Sequence, residues 1–196
     1  MVQSNKYIRL AADLQTDSIV DGPGLRAVLW TQGCGHKCKG CQNPQTWDFN
    51  GGGLVPIKAV KDAIDELEYH TGLTLSGGDP MYQVPACLEI IKYARKKGLN
   101  IWVYTGFTWE EIMKMAKKDN VYNEFLKYVD VLVDGRFILE ERDLNLLFRG
   151  SRNQRLIDVP KTLEKKEIVL LDEKAYNEED KFKKEPMYVW HWFLFD

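Results

Sequence analysis

Cysteine is scarce in this chain, four residues in 196. That scarcity excludes a disulfide-framed scaffold, which draws its stability from several pairs. A chain of this length folds without such staples, because folding hides roughly 70 % of the surface the unfolded form exposes. Also missing is any apolar run near the ~20 residues that a membrane-spanning helix requires. Residues 1–10 lack the apolar centre of a secretory signal, so the cytoplasm is the expected location and no membrane partner is expected. Neither sign of charge dominates: 27 Lys and Arg stand against 29 Asp and Glu, for a net charge of −2. A balance so close to neutral gives nucleic acid and anionic lipid no basic surface to hold. No segment repeats, and the length fits one domain.

What is present is an alternation of short apolar runs with helical patterns. Residues 6–11 read as a short strand, followed by a polar stretch to the turn Asp21-Gly22-Pro23-Gly24. Residues 26–31 predict a second strand that ends at Gly33, just before three cysteines. The stretch 34–53, rich in Gly, Asn, Gln and Pro, reads as a loop built around a ligand. Ile57, Val60, Ile64 and Leu67 recur at helical spacing and predict a helix from 57 to about 70. Residues 73–76 form a strand running into Gly77-Gly78-Asp79-Pro80. A helix over 85–97 places Leu88, Ile91 and Ala94 inward and stops at Gly98. Residues 100–104 are a strand ending at Thr105-Gly106. Thr108 and Glu111 then make a capping box, with Phe107 and Ile112 as its hydrophobic staple. Residues 130–134 and 155–159 are further strand candidates.

Strands alternating with helices imply an α/β fold of βα units around a largely parallel sheet. Four to six units are too few for an eight-fold barrel of about 250 residues. A partial, open (β/α) barrel over residues 1–159 is therefore expected. Beyond it the composition shifts. Residues 161–166 are charged, 168–171 are a strand candidate, and the end carries Tyr188, Trp190, Trp192, Phe193 and Phe195. So apolar an end must dock or aggregate, so residues 160–196 are expected to be an extension packed on the same domain. A partner-binding element is the alternative.

The strongest local pattern is Cys34-Gly-His-Lys-Cys38-Lys-Gly-Cys41, in the loop after a strand. Thiolates are the usual ligands of iron–sulfur clusters, and a fully protein-held cluster takes four. Three leave one iron of a four-iron cluster open, by the logic that reserves a position for substrate at catalytic zinc. A zinc site recruiting His36 or Cys87 stays open as a rival, although no second Cys-x-x-Cys pair is there to complete it. His36 reads more simply as a solvated loop residue and Cys87 as a small buried apolar one. His70 and His191 fall in no motif and read as structural or solvated.

This spacing resembles the signature of the radical S-adenosylmethionine superfamily. Its surroundings narrow the likeness. Asp21-Gly22-Pro23-Gly24 looks like the turn of glycyl-radical-activating enzymes. Cys34-x-His36-x-Cys38-x-Gly40-Cys41-x-Asn43 is similar to the version in activating proteins of anaerobic ribonucleoside-triphosphate reductases. Similar too are Ser76-Gly-Gly-Asp-Pro80, Tyr104-Thr-Gly106, Val133-Asp-Gly-Arg-Phe137 and Arg149-Gly-Ser-Arg-Asn-Gln154, in the same order over residues 19–159.

The resemblance implies a [4Fe–4S] cluster on Cys34, Cys38 and Cys41 whose open iron binds S-adenosylmethionine. Reductive cleavage then yields a 5′-deoxyadenosyl radical that takes hydrogen from a glycine Cα of the reductase large subunit. A reduced flavodoxin or similar protein supplies the electron. Gly40, Cys41 and Gln42 offer backbone to the adenine, and Gly77, Gly78 and Asp79 lie where the methionine end binds. Tyr104, Thr105, Asp134 and Arg136 follow strand ends and are candidates for the ribose or carboxylate. A surface ion pair is the bland reading of Asp134 and Arg136, as core packing is of Tyr104. Residues 149–154 either contact the reductase or brace the end of the barrel. Alternatives of the same chemistry are a pyruvate formate-lyase activating enzyme and a 7-carboxy-7-deazaguanine synthase. A non-catalytic zinc-binding module is the alternative of another class.

Overall fold

The computed structural model describes residues 6–172; the aromatic segment 188–195 lies outside the described residues. In chain order the elements are β1 (Tyr7–Leu10), β2 (Gln15–Ser18), β3 (Arg26–Thr31), β4 (Gly53–Pro56), α1 (Ile57–Asp65), β5 (Gly72–Gly77), α2 (Val84–Lys96), β6 (Asn100–Tyr104), α3 (Trp109–Ala116), α4 (Val121–Leu126), β7 (Val131–Asp134), β8 (Arg155–Asp158) and α5 (Val159–Lys165). The strands form one mixed sheet in the order β4-β1-β3-β5-β6-β7-β8, with β2 beside β3 off that path. Its centre is parallel: β3 pairs β5, β5 pairs β6 and β6 pairs β7, with Leu73 opposite both Ala27 and Ile101. Helical crossovers between these strands are what parallel pairing demands.

The two-residue period of the strands sorts side chains between two faces. Ala27, Leu29, Leu73, Leu75, Ile101, Val103, Leu132 and Ile157 join the buried faces of the helices in the main core. Each of the Leu, Ile and Val side chains contributes roughly 1.5–3 kcal/mol by leaving water. Trp102, Val131, Val133 and Leu156 alternate with them onto the inner face, with Tyr104, Phe148 and Leu171 against them. That inner face is also polar. Arg26 is fully buried, donating to Thr74 Oγ1 at 2.7 Å and Asn100 Oδ1 at 2.6 Å, with its guanidinium 5.6 Å from the Trp102 ring centre.

Three features differ from the sequence expectation. α1 ends at Asp65, and the chain turns through Leu67 to reach Thr71, whose amide bonds Leu25 O. β8 runs antiparallel to β7, because residues 135–154 contain no crossover helix to carry the chain back to the other end of the sheet. The charged stretch after residue 160 belongs to α5, started by Asp158, whose carboxylate accepts from the Lys161 amide, and by a proline in the first turn. Leu170 bridges Ile157 and the Leu171 amide bonds Leu156 O, so the chain returns along the edge of β8. Among the described residues no helix is long and apolar enough to cross a membrane.

Candidate functional site

The cysteine loop leaves the carboxyl end of β3 and is fastened by its own backbone. The Gly33 amide bonds Thr46 O at 2.8 Å and the Cys34 amide bonds Trp47 O at 3.1 Å. Inside this frame Cys41 N bonds Cys38 O at 3.1 Å, closing a tight turn. The Gln32 amide group spans the base of the loop, donating to Gln45 O and Asp48 O.

The end of β5 lies against the start of this loop. Gly78 N bonds Thr31 O at 2.7 Å and Asp79 N bonds Gly33 O at 3.0 Å. A Cβ on Gly77 would stand 2.5 Å from Thr31 O, and one on Gly78 would stand 2.6 Å from Gly33 O. Gly77 also sits at φ 100°, where a side chain is strained. Backbone-to-backbone packing alone therefore requires glycine at both positions.

All four cysteines are free thiols. Cys34, Cys38 and Cys41 share the loop, while Cys87 is fully buried in α2 among core residues, as its apolar reading expects. The loop's thiols suit an iron–sulfur group by donor chemistry and by surroundings. Backbone N–H groups of His36 and Lys37 face the Cys34 sulfur, that of Phe137 faces Cys38, and the Asn43 amide donates to Cys41 Sγ at 3.4 Å. Hydrogen bonds of this kind stabilise thiolate charge and tune a cluster's potential. Burial pushes the Cys34 and Cys38 thiols up, so the bare loop disfavours thiolates, and a bound cation is what would favour them. Among the described residues no group of three or more His, Cys, Asp or Glu side chains is arranged to hold a metal ion.

Cys41, Gln42 and Asn43 line an open cleft of ≈ 510 Å³ together with Ile19, Asp21, Trp30, Ser76, Tyr104, Phe148 and Gln154. That volume is in the range of small-molecule sites, about 300–1,000 Å³. Trp30, Ser76 and Tyr104 come from the last residues of three strands, at the carboxyl edge where open α/β sheets bind ligands. The Tyr104 hydroxyl donates to Phe148 O at 2.8 Å, and burial pushes its phenol up.

Asp134 and Arg136 line a second crevice, of ≈ 400 Å³, with Gly106, Glu110, Asn153 and Arg155. The Asp134 carboxylate is enclosed: it accepts from the Trp109 amide at 2.7 Å and from Arg155. Arg136 reaches Glu111 and His36 instead, at 3.4 and 3.1 Å. The structure thus brings Cys41, Gln42 and Tyr104 to one cleft and Asp134 and Arg136 to another. Thr105 and Asp79 lie buried between the strand ends, joined at 2.9 Å. Residues 149–154 act as a brace. Gln154 Oε1 accepts from the Gly150 and Ser151 amides, its Nε2 donates to Gly135 O, and Asn153 Nδ2 donates to Arg136 O.

One expectation fails outright. His36 is no solvated loop residue: its side chain is 5 % exposed and its Nε2 lies 2.9 Å from Asp79 Oδ2. The sequence gives no local sign of this, because the partner is distant along the chain. Arg26 is the other polar residue that reading the strand as an apolar run misses. A cation heading such a run is the signal that could have found it.

Residues 20–157 match the model of a family described as a 4Fe-4S single cluster domain. The anaerobic ribonucleoside-triphosphate reductase-activating protein of Vibrio cholerae is 39 % identical over 144 residues, covering 69 % of this chain and 89 % of that protein. Its namesake from Enterobacteria phage T4 is 41 % identical over 146 residues, covering 70 % and 86 %. Among solved structures, QueE from Escherichia coli shares 15 % identity and a TM-score of 0.42 over 52 % of this chain and 53 % of that one, a likeness too partial to assign a fold. Identity at this level, over nearly the full length of both relatives, means that the chain belongs to the family of anaerobic ribonucleoside-triphosphate reductase-activating proteins.

Proposed function

We propose that this chain is a radical S-adenosylmethionine activase that places the glycyl radical on an anaerobic ribonucleoside-triphosphate reductase. The observation that carries the reading is the 39–41 % identity to activating proteins across most of their length, joined to three free thiols in one loop beside a ligand-sized cleft. When bound, a [4Fe–4S] cluster supplies the electron that splits S-adenosylmethionine, and the adenosyl radical so released takes a hydrogen atom from the target glycine.

The chain's own part is to hold and to exclude. Cys34, Cys38 and Cys41 would ligate three irons, each sulfur steadied by backbone N–H donors. Cys41 and Gln42 line the cleft where the adenine would lie, and Gly40 precedes them in the loop. Gly77 and Gly78 present main chain without side chains toward the methionine end. Asp79 and Thr105 set the positions of those strand ends, and Tyr104 with Phe148 walls the cleft against water. Asp134 and Arg136 would act from the neighbouring crevice. The scaffold is read as a partial (β/α) barrel over residues 1–159 with 160–196 appended. The partners are the reductase large subunit and a reduced flavodoxin-type donor, in the cytoplasm.

Anaerobic reconstitution tests the reading. The holoprotein should carry about four irons and four sulfides per chain, and reduction with S-adenosylmethionine should release 5′-deoxyadenosine. Adding the cognate large subunit should then give a glycyl radical by electron paramagnetic resonance. Cleavage with no radical on that subunit would reassign the substrate, and absence of iron would remove the chemistry altogether.

A further inference from the structure

Between Cys34 and Cys38 stands a side chain whose two ring nitrogens both find partners in the protein. His36 crosses from the cysteine loop into a slot at the carboxyl edge of the sheet. Its ring meets Phe107 edge-on, with centroids 4.5 Å apart, and Tyr82 at 6.0 Å. The floor of the slot is Gly106, where a Cβ would stand 2.4 Å from the imidazole. Both ring nitrogens are engaged. Arg136 Nε lies 3.1 Å from Nδ1, and Nε2 lies 2.9 Å from Asp79 Oδ2. Arginine can only donate, so Nδ1 accepts and the ring proton sits on Nε2, given to Asp79. The Asp79 carboxylate is itself fully buried. It gathers the Met81 amide, the Thr105 hydroxyl and the Gly106 amide, all at 2.9 Å.

We infer that His36 is a positioning residue that restrains the cysteine loop before any iron arrives, by tying it through Asp79 to the ends of β5 and β6 and through Arg136 to the segment after β7. The inference rests on the cluster reading of Cys34, Cys38 and Cys41. A loop of this length between Gly33 and Gly53 has many shapes, and a ligand set that must be assembled at binding loses affinity to that ordering. Second-sphere contacts that fix ligand direction are how metal sites avoid the loss. Here the contact is made by a residue within the ligand loop itself, so each of its two hydrogen bonds restrains both flanking cysteines.

The chain supplies its own control, since Cys34 is 8 % exposed inside the loop and Cys87 is 0 % exposed in the core. Alkylation of the apoprotein, followed cysteine by cysteine by mass spectrometry, separates loosening of the loop from unfolding. His36→Phe keeps a ring in the slot and loses both polar contacts. His36→Gln keeps an amide that can donate to Asp79. In His36→Phe, labelling of Cys34 should quicken about tenfold, the size that losing one charge-assisted hydrogen bond gives, while Cys87 stays protected. His36→Gln should return Cys34 close to its original rate. After reconstitution the Phe variant should release iron to a chelator faster and show an altered resonance spectrum of the reduced cluster. Unchanged Cys34 labelling in the Phe variant would overturn the inference, as would Cys34 and Cys87 opening together, or Gln behaving as Phe does. If the unsubstituted protein takes up no iron, the cluster reading fails on its own account, and the positioning role falls with it.

Discussion

Arg155 closes on the Asp134 carboxylate with two hydrogen bonds, 2.9 Å from Nε and 2.5 Å from a terminal nitrogen. Asp134 is 1 % exposed and ends β7, while Arg155 begins the antiparallel strand beside it. The carboxylate also takes the first amide of α3, so one ion pair fixes two strands and a helix start. Removing one partner of an enclosed pair strands the other charge, at roughly 3–5 kcal/mol. Because Arg155 is 30 % exposed and water can replace part of it, Arg155→Ala should cost less, about 2 kcal/mol. Urea unfolding checks this, and an unchanged midpoint would show that the pair stabilises nothing.

The same guanidinium holds the neighbouring Glu110 carboxyl at about 2, below its ordinary 4.5, by two hydrogen bonds. A depressed carboxyl contributes stability that is complete above its unfolded value and is lost as pH falls through the folded one. The stability due to Glu110 should therefore be present above pH 4.5 and disappear toward pH 2. Salt should shrink it, because Glu110 is 54 % exposed. Unfolding midpoints of the parent and Glu110→Gln, compared across that window at two salt concentrations, read it out. Parallel curves would contradict the assignment.

Replacing Cys38 by Ala should leave fewer than the three ligands needed and abolish iron uptake and S-adenosylmethionine cleavage. Cys87→Ala should keep full iron content and lose only about 1 kcal/mol of stability through the small void it leaves. Iron and sulfide analysis of both proteins decides between them; normal loading of the Cys38 variant is the adverse result.

Gly78→Ala probes the packing of β5 against the cysteine loop. Its Cβ would sit 2.6 Å from Gly33 O, which is backbone, so the cysteine loop or β5 must move. We expect a loss of 1–3 kcal/mol, the usual scale of overpacking at about one methyl group, together with reduced cluster occupancy. Full occupancy and unchanged melting would mean that the loop yields freely at this point.

Much of this was legible in the chain because two periods carry it. Leu73, Leu75, Ile101, Val103 and Leu132 mark buried strands, and Ile57, Val60 and Ile64 mark a helix face. The Thr108–Glu111 capping box formed as expected, with both of its hydrogen bonds. β2 and β4 were not legible, since neither has a period of its own and each is defined by the strand it pairs with. α5 does carry a start signal, Asp158 with a proline two residues on, but it is hidden in a charged stretch. The spacing marks Cys34, Cys38 and Cys41 as candidate ligands, but it does not reveal the surroundings of His36. Its partners lie 43 and 100 residues away, and no local pattern reports a contact at that distance.

The antiparallel return of β8 has a mechanical side. Because the chain re-enters the sheet from the end at which it left, the whole excursion 135–154 stays above the carboxyl edge as a single arch. One foot of that arch, Phe137, offers its amide to the Cys38 sulfur. The other, Phe148, takes the Tyr104 hydroxyl and forms part of the cleft wall. A displacement of the arch would therefore shift the surroundings of the Cys38 sulfur and one wall of the cleft together.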